Sequence, residues 1–169
     1  MKKLILFIAF GSIAMLQSCS RDTTTVPVDN DTISEVFEYN TNVNFTTNNN
    51  FSVLLSYPHT IYSSDMVLAY RLSGVTQGED IWKPLPETYF FDDGTLDFKY
   101  DFDFTRYDTQ VTMSGYDLAS ISPDYRLNQV IRVVIVPGYF GKQSKVNLSD
   151  YKAVIKALHI DESKIIKMP

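Results

Sequence analysis

The chain has 169 residues, among them 15 Lys or Arg, 20 Asp or Glu and 2 His, for a formal charge of -5 at pH 7; that is one domain's worth of polypeptide. With 44% apolar residues, 21% charged residues and a mean hydropathy of -0.10, it can bury a core, which excludes wholesale disorder, a collagen repeat and a polytopic membrane protein. The pI near 4.9 is the opposite of the basic footprint that general nucleic-acid binding needs, so no nucleic-acid partner is expected.

The chain opens on Met1-Lys2-Lys3, an apolar run from Leu4 to Phe10, small residues at Gly11, Ser12 and Ala14, and then Leu16-Gln17-Ser18-Cys19. Residues 1–18 read as a cleavable signal. Their uncharged stretch, Leu4 to Ser18, is 15 residues long, short of the ~20 that a spanning helix needs. The closing Leu-x-Ser-Cys resembles the lipobox of bacterial lipoproteins. That resemblance implies cleavage before Cys19, lipidation of its thiol and new amino group with fatty acids such as palmitate, and a membrane as partner through the lipid. Because Ser20 and not Asp follows the cysteine, it further implies an outer-membrane lipoprotein, facing the periplasm or the cell surface. Several acyl chains, at ~0.8 kcal/mol per buried methylene, hold a protein stably without a spanning helix. Cys19 is the only cysteine, so no internal disulfide is available.

Cleavage would remove two lysines and no acid, leaving -7 over 151 residues. Residues 19–32 read as the lipidated cysteine followed by a flexible tether, since SRDTTTVPVDNDT has neither a helical nor a strand period. Asp22-Thr23-Thr24 and Asp31-Thr32-Ile33 resemble the short O-glycosylation pattern of Bacteroidota secreted proteins.

Residues 33–169 read as a single all-β domain, an antiparallel β-sandwich of immunoglobulin-like general architecture with one C-terminal α-helix. A first strand is predicted over Ser34 to Phe45, a turn over Thr46 to Asn50, a second strand over Phe51 to Tyr57 closed by Pro58, and a third over Met66 to Leu72. Gly78 to Pro86, which contains Trp82, is too proline-rich for a central strand and is expected to be a loop. Glu87 to Phe91 leads into a hairpin at Asp93-Gly94, whose positive φ values suit a tight turn. On the way out, Leu96, Phe98, Tyr100, Phe102 and Phe104 alternate with Asp97, Lys99, Asp101 and Asp103, so one face packs on a core and the other is wet.

Thr109 to Ser114 and Gln129 to Val136 follow, the latter nearly continuous in apolar residues and therefore central between two layers. Leu148, Tyr151, Val154, Ile155 and Leu158 then share one helical stripe. Asn147 or Ser149 is the expected N-cap, with Asp150 in the first turn, and the helix is expected to cover an edge or open end of the sandwich. The closing DESKIIKMP fits either a short strand or a turn.

Reactive groups are few. The sequence has no GxSxG, HExxH, Walker or dinucleotide-binding glycine pattern, and enzymatic activity is not favoured. His59 reads as a loop histidine and His159 as a cation suited to a helix C-terminus. Asp97, Asp101 and Asp103 share a strand face, where neighbours two apart stand ~6.6–7 Å from each other. Such a face fits charges that keep an outer sheet face soluble, which is the plainer reading; it also fits calcium-dependent adhesion, or a carbohydrate-active enzyme using Asp101 or Asp103. No other cofactor is indicated. Trp82 reads first as a ring packed as a lid, and also as a candidate ligand contact, for a glycan or another envelope protein, because a ring offers large area at low entropy cost.

Taken together, Val67-Leu68-Ala69-Tyr70-Arg71-Leu72, Ile81-Trp82-Lys83-Pro84-Leu85-Pro86, Phe90-Phe91-Asp92-Asp93-Gly94-Thr95-Leu96, Val133-Val134-Ile135-Val136-Pro137-Gly138 and Asp150-Tyr151-Lys152-Ala153-Val154 resemble a family of small flavobacterial-type lipoproteins of unknown function. The resemblance spans nearly the whole mature chain. It implies a lipoprotein and supplies no activity; anchor, tether and compact sheet without a reactive constellation read together as a lipid-anchored binding or structural module of the cell envelope. Collagen-like and dihydrolipoamide dehydrogenase labels attached to some members conflict with this chain, which has neither a Gly-x-y repeat nor a redox cysteine pair.

Overall fold

The computed structural model describes residues 33–143 and 145–169; Cys19, the signal and the tether lie outside the described residues. Nine strands among them form two sheets. One has the order β4-β3-β8-β1-β9 and is made of β1 (Glu35–Tyr39), β3 (Met66–Thr76), β4 (Glu79–Pro84), β8 (Ile131–Val136) and β9 (Ile166–Met168). The other has the order β2-β7-β6-β5 and is made of β2 (Ser52–Ser56), β5 (Glu87–Phe90), β6 (Leu96–Phe104) and β7 (Asp108–Gly115). The pairings are antiparallel except for β9, which lies parallel to β1. The result is an all-β sandwich, as the strand-and-turn pattern predicts. No described helix is long and apolar enough to cross a membrane.

Strand β8 sets the layering. All six of its residues are buried, and their alternation divides them between two cores. Ile131, Val133 and Ile135 face the interior between the sheets, where they meet Phe37, Ala69, Phe98, Tyr100, Val111 and Met113. Val134 and Val136 face the other way and pack with Val36, Tyr70, Tyr151, Val154 and Ile155. The last three belong to α3 (Tyr151–Ala157), which follows two shorter helices, α1 (Pro123–Arg126) and α2 (Gly138–Gln143).

The helix therefore covers the outer face of the five-stranded sheet, not an edge or an open end. A strand apolar on both sides needs a layer over each, and α3 is that layer. Its N-cap is Asp150, whose side chain accepts from the Ala153 amide at 3.1 Å, not Asn147 or Ser149. Two further expectations change in detail. The predicted first strand ends at Tyr39, because Asn42 takes a positive φ of 59° and turns the chain; Val43 and Phe45 are still buried, but in the crossing loop. At the β5–β6 turn only Gly94 of the Asp-Gly pair has positive φ, 83°. Asp93 stabilises the turn by accepting from the Thr95 amide and hydroxyl. The undecided C-terminus forms a 3-10 turn over Glu162–Lys164 and then β9.

Capping gives a direct test. Asp150→Ala should destabilise the domain by ~1 kcal/mol in urea unfolding, whereas Ser149→Ala should be close to neutral; the reverse order would mean that the helix starts elsewhere.

Candidate functional site

The chain enters the domain at Ile33, and the strand registers define which end that is. Glu35 pairs with Ile135 and Met66 with Val136, while His59 reaches Glu35 at 2.9 Å. The entry pole thus gathers Ile33, the loop 57–65, the β6–β7 turn and the end of β8. The opposite pole carries the β5–β6 turn, the β3–β4 turn and the end of β7.

A buried polar network stiffens the structure beneath that far pole. Arg71 on β3 faces the sandwich interior, 3% exposed. It donates to Glu87 through Nε at 2.8 Å, to Gln129 at 2.9 Å and to the Tyr89 hydroxyl at 2.7 Å; its guanidinium carbon stands 4.8 Å from the Tyr100 ring centre. Glu87 also accepts from Tyr89 and Lys83. Burial pushes the Glu87 carboxyl up, but the hydrogen bonds from Arg71, Tyr89 and Lys83 outweigh it and hold the carboxyl below its ordinary range. Burial, with the Glu87 bond next, drives the Tyr89 hydroxyl well above its ordinary value.

On this base stands an aromatic tier. Tyr89 stacks on Phe98 with ring centres 4.4 Å apart, and Tyr125 meets both edge-on at 5.2 and 5.4 Å. Above it opens a groove of about 430 Å³, with Phe98 and Tyr125 in its lining, Phe91 and Tyr116 also contributing rings, and Asp97, Asp117, Ser120 and Ser122 supplying polar groups. That volume lies in the range of small-ligand sites. Gly115 is required where the wall begins, because a Cβ there would sit 2.3 Å from the Asp97 carbonyl oxygen. The close approach lets the Tyr116 amide donate to that same carbonyl at 3.0 Å. The next turn is held by Arg126, which donates to the carbonyls of Ile121 and Ala119. Tyr116 itself is 87% exposed. Rings can stack on the C–H face of a sugar while neighbouring carboxylates accept hydrogen bonds from its hydroxyls, which is chemistry this groove can offer a carbohydrate.

The residues singled out from sequence are scattered. Of the three acids, Asp97 lines the groove. Asp101 is 2.8 Å from the Lys99 ammonium, which keeps its carboxyl below the ordinary range, and Asp103 is exposed farther along β6. Among the described residues no group of three or more His, Cys, Asp or Glu side chains is placed to hold a metal ion. Trp82 is not in a loop. It lies in β4, an edge strand, where prolines are tolerated, and its ring is 5.5 Å from Tyr151 with the Arg132 guanidinium 4.1 Å from its centre. It also borders a shallow groove of about 450 Å³ with Thr76, Asp80 and Tyr151. His159 follows α3 with a positive φ of 54°. Sequence reasoning missed Phe91, Tyr116, Asp117 and Tyr125. For Phe91, Tyr116 and Asp117 the available signal was their position just outside strand ends, where no period commits a side chain to the core; Tyr125 lies in the four-residue α1, too short to show a helical period.

Comparison with family models, curated proteins and solved structures finds no match for this chain. The functional reading therefore rests on its own residues.

Removing Glu87 tests the network under the groove. Glu87→Gln leaves Arg71 buried without its counter-charge and should cost ~3–5 kcal/mol. Since the folded Glu87 value is below its ordinary 4.5, its stabilisation is complete above pH 4.5 and is lost as pH falls through the folded value. Stability should accordingly decline less steeply below pH 4.5 in Glu87→Gln than in the parent; parallel declines would count against the pairing.

Proposed function

We propose that this chain is a lipid-anchored binding module of the cell envelope, held at the outer membrane through acylated Cys19, with a glycan chain as the ligand of its aromatic groove. The carrying observation is the placement of Phe91, Tyr116, Asp97 and Asp117 at the pole opposite Ile33. A ligand site at that end faces away from the anchor and reaches material beyond the bilayer. The likeness of residues 16–19 to a lipobox supports the anchor, and the exposed Tyr116 ring in a groove also lined by Asp97 and Asp117 supports the sugar.

The two halves are tested separately. Cys19→Ala should abolish incorporation of a labelled fatty acid and move the protein from the membrane to the soluble fraction; labelling that persists would refute lipidation at this thiol. For the groove, the full mature protein in detergent micelles is titrated with cello-, xylo-, manno- and laminarihexaose. At least one should bind, and Tyr116→Ala should weaken that binding by about tenfold, equivalent to ~1.4 kcal/mol. Failure of all four at millimolar concentration, or unchanged affinity in Tyr116→Ala, would remove the glycan from the reading.

A further inference from the structure

We infer that the entry pole is itself a membrane-contact face, on which Tyr62, Tyr107 and Tyr139, with Ile33, Met66 and Phe104, lie in the headgroup region of the bilayer that holds Cys19. The inference rests on the lipid anchor proposed above.

These six residues are all exposed, the three tyrosines at 51%, 62% and 60%, and they come from four segments that meet at one end of the sandwich. The loop carrying Tyr62 is tied to the turn carrying Tyr107: the Tyr57 amide donates to the Tyr107 carbonyl at 2.8 Å, and the Ile61 amide to the Arg106 carbonyl at 3.0 Å. The Arg106 guanidinium returns a bond to the Ile61 carbonyl at 3.0 Å. The segment carrying Tyr139 abuts the same loop, since a Cβ on Gly138 would stand 2.4 Å from the Ser64 carbonyl oxygen. Ile33 lines a cleft with His59, Tyr62 and Asp65. The rings are thus displayed on one cross-braced surface.

Two features select a bilayer as the occupant. The first is the anchor: only 13 residues, Ser20 to Thr32, separate the lipidated position from Ile33, a span of at most ~50 Å when fully extended. This pole is where the anchoring segment joins the domain. The second is chemistry. Tyrosine suits the membrane–water interface, with its ring toward the acyl chains and its hydroxyl toward water, and three carboxylates of this pole have partners within the protein. Glu35 meets His59 at 2.9 Å, Asp65 accepts from the Tyr62 amide at 2.9 Å, and Asp108 accepts from the Thr105 hydroxyl at 2.7 Å. Contact through rings requires no anionic lipid.

The test uses the full mature protein in phosphatidylcholine vesicles. With the Cys19 thiol consumed by acylation, Ser63→Cys and Ser120→Cys each offer one thiol for a spin label, at the entry and far poles respectively. The label at 63 should be several-fold more accessible to membrane-soluble oxygen than to an aqueous nickel chelate, relative to the label at 120, and the ratio should not change with salt. Replacing Tyr62, Tyr107 and Tyr139 by Ser should return the label at 63 to aqueous accessibility while the protein still floats with the vesicles. A label at 63 that is as aqueous as the one at 120 in floating parent protein would overturn the contact face and leave the anchor intact. Failure of the parent to float would overturn the anchor, and the contact face with it. The measurement in the parent rings decides the matter even if the triple variant does not fold.

Discussion

The architecture depends on one strand being desolvated on both faces. A strand with only one buried side can end a fold as a two-layer sandwich, but β8 carries Val134 and Val136 on the face away from the interior, and each buried aliphatic side chain is worth roughly 1.5–3 kcal/mol removed from water. A third layer is the consequence, supplied by a helix of only seven residues, Tyr151–Ala157. So short a helix is marginal alone; it persists because Tyr151, Val154 and Ile155 are buried against the sheet. Arg132 is the exception on that strand, and its surroundings show what burying a charge demands. Glu38 and Glu162 neutralise it at 2.9 and 2.8 Å, the Tyr151 hydroxyl accepts from it, and Trp82 covers it. That set recruits β1, β4, α3 and the 3-10 turn to one cation, tying the outer layer to the sheet. Trp82 is therefore committed largely to packing.

Arg71 and Arg132 form a pair of such sites on opposite faces of the same sheet, adjacent through the register that sets Tyr70 against Arg132 and Arg71 against Ile131. Breaking either would strand a buried charge, a far larger penalty than losing a surface pair. Every buried side-chain nitrogen and oxygen among the described residues has a partner, so the acidic chain keeps its cations inside only where carboxylates meet them. The carboxylates left over, such as Asp97, Asp103 and Asp117, lie toward solvent. On β6 the intervening Lys99 splits the acidic face into a charge ladder, with Asp101 engaged.

Much of this was legible in the residues. Period-two alternation placed Phe98 and Tyr100 inside and their acidic neighbours outside, and the apolar run of β8 announced a central strand. Local pattern reveals which face of an element is buried, because that depends on neighbours one to four residues away. It does not reveal what covers the face. Hence α3 was legible as an amphipathic helix but not as the lid of the five-stranded sheet, and Trp82 in its proline-flanked segment looked like loop because edge strands relax the rule that central strands enforce. The candidate site was the least legible part. Asp97 stood out only as one of several acids, and its companions come from the β5–β6 turn (Phe91), the segment after β7 (Tyr116, Asp117) and α1 (Tyr125), the last of which packs on Phe98 and Tyr89. No spacing in the sequence encodes that meeting.

The aromatic content links these points. The described domain contains no cysteine, and it fastens its parts through tyrosine hydroxyls. Tyr39 donates to the Ser56 carbonyl at 2.7 Å, Tyr57 and Thr109 share a bond of 2.6 Å, Tyr70 donates to the Leu148 carbonyl at 2.6 Å, and Tyr100 donates to the Tyr125 carbonyl. Each is a ring in a core with its one polar atom satisfied across an interface between elements, so apolar burial and a directional bond act at the same place. The same residue type at the poles lacks such enclosure: Tyr62, Tyr107, Tyr139 and Tyr116 are exposed. Burial was available to this chain for many of its rings. Those left at its two ends expose apolar surface that folding alone does not require, and that surplus points outward, to whatever each pole meets.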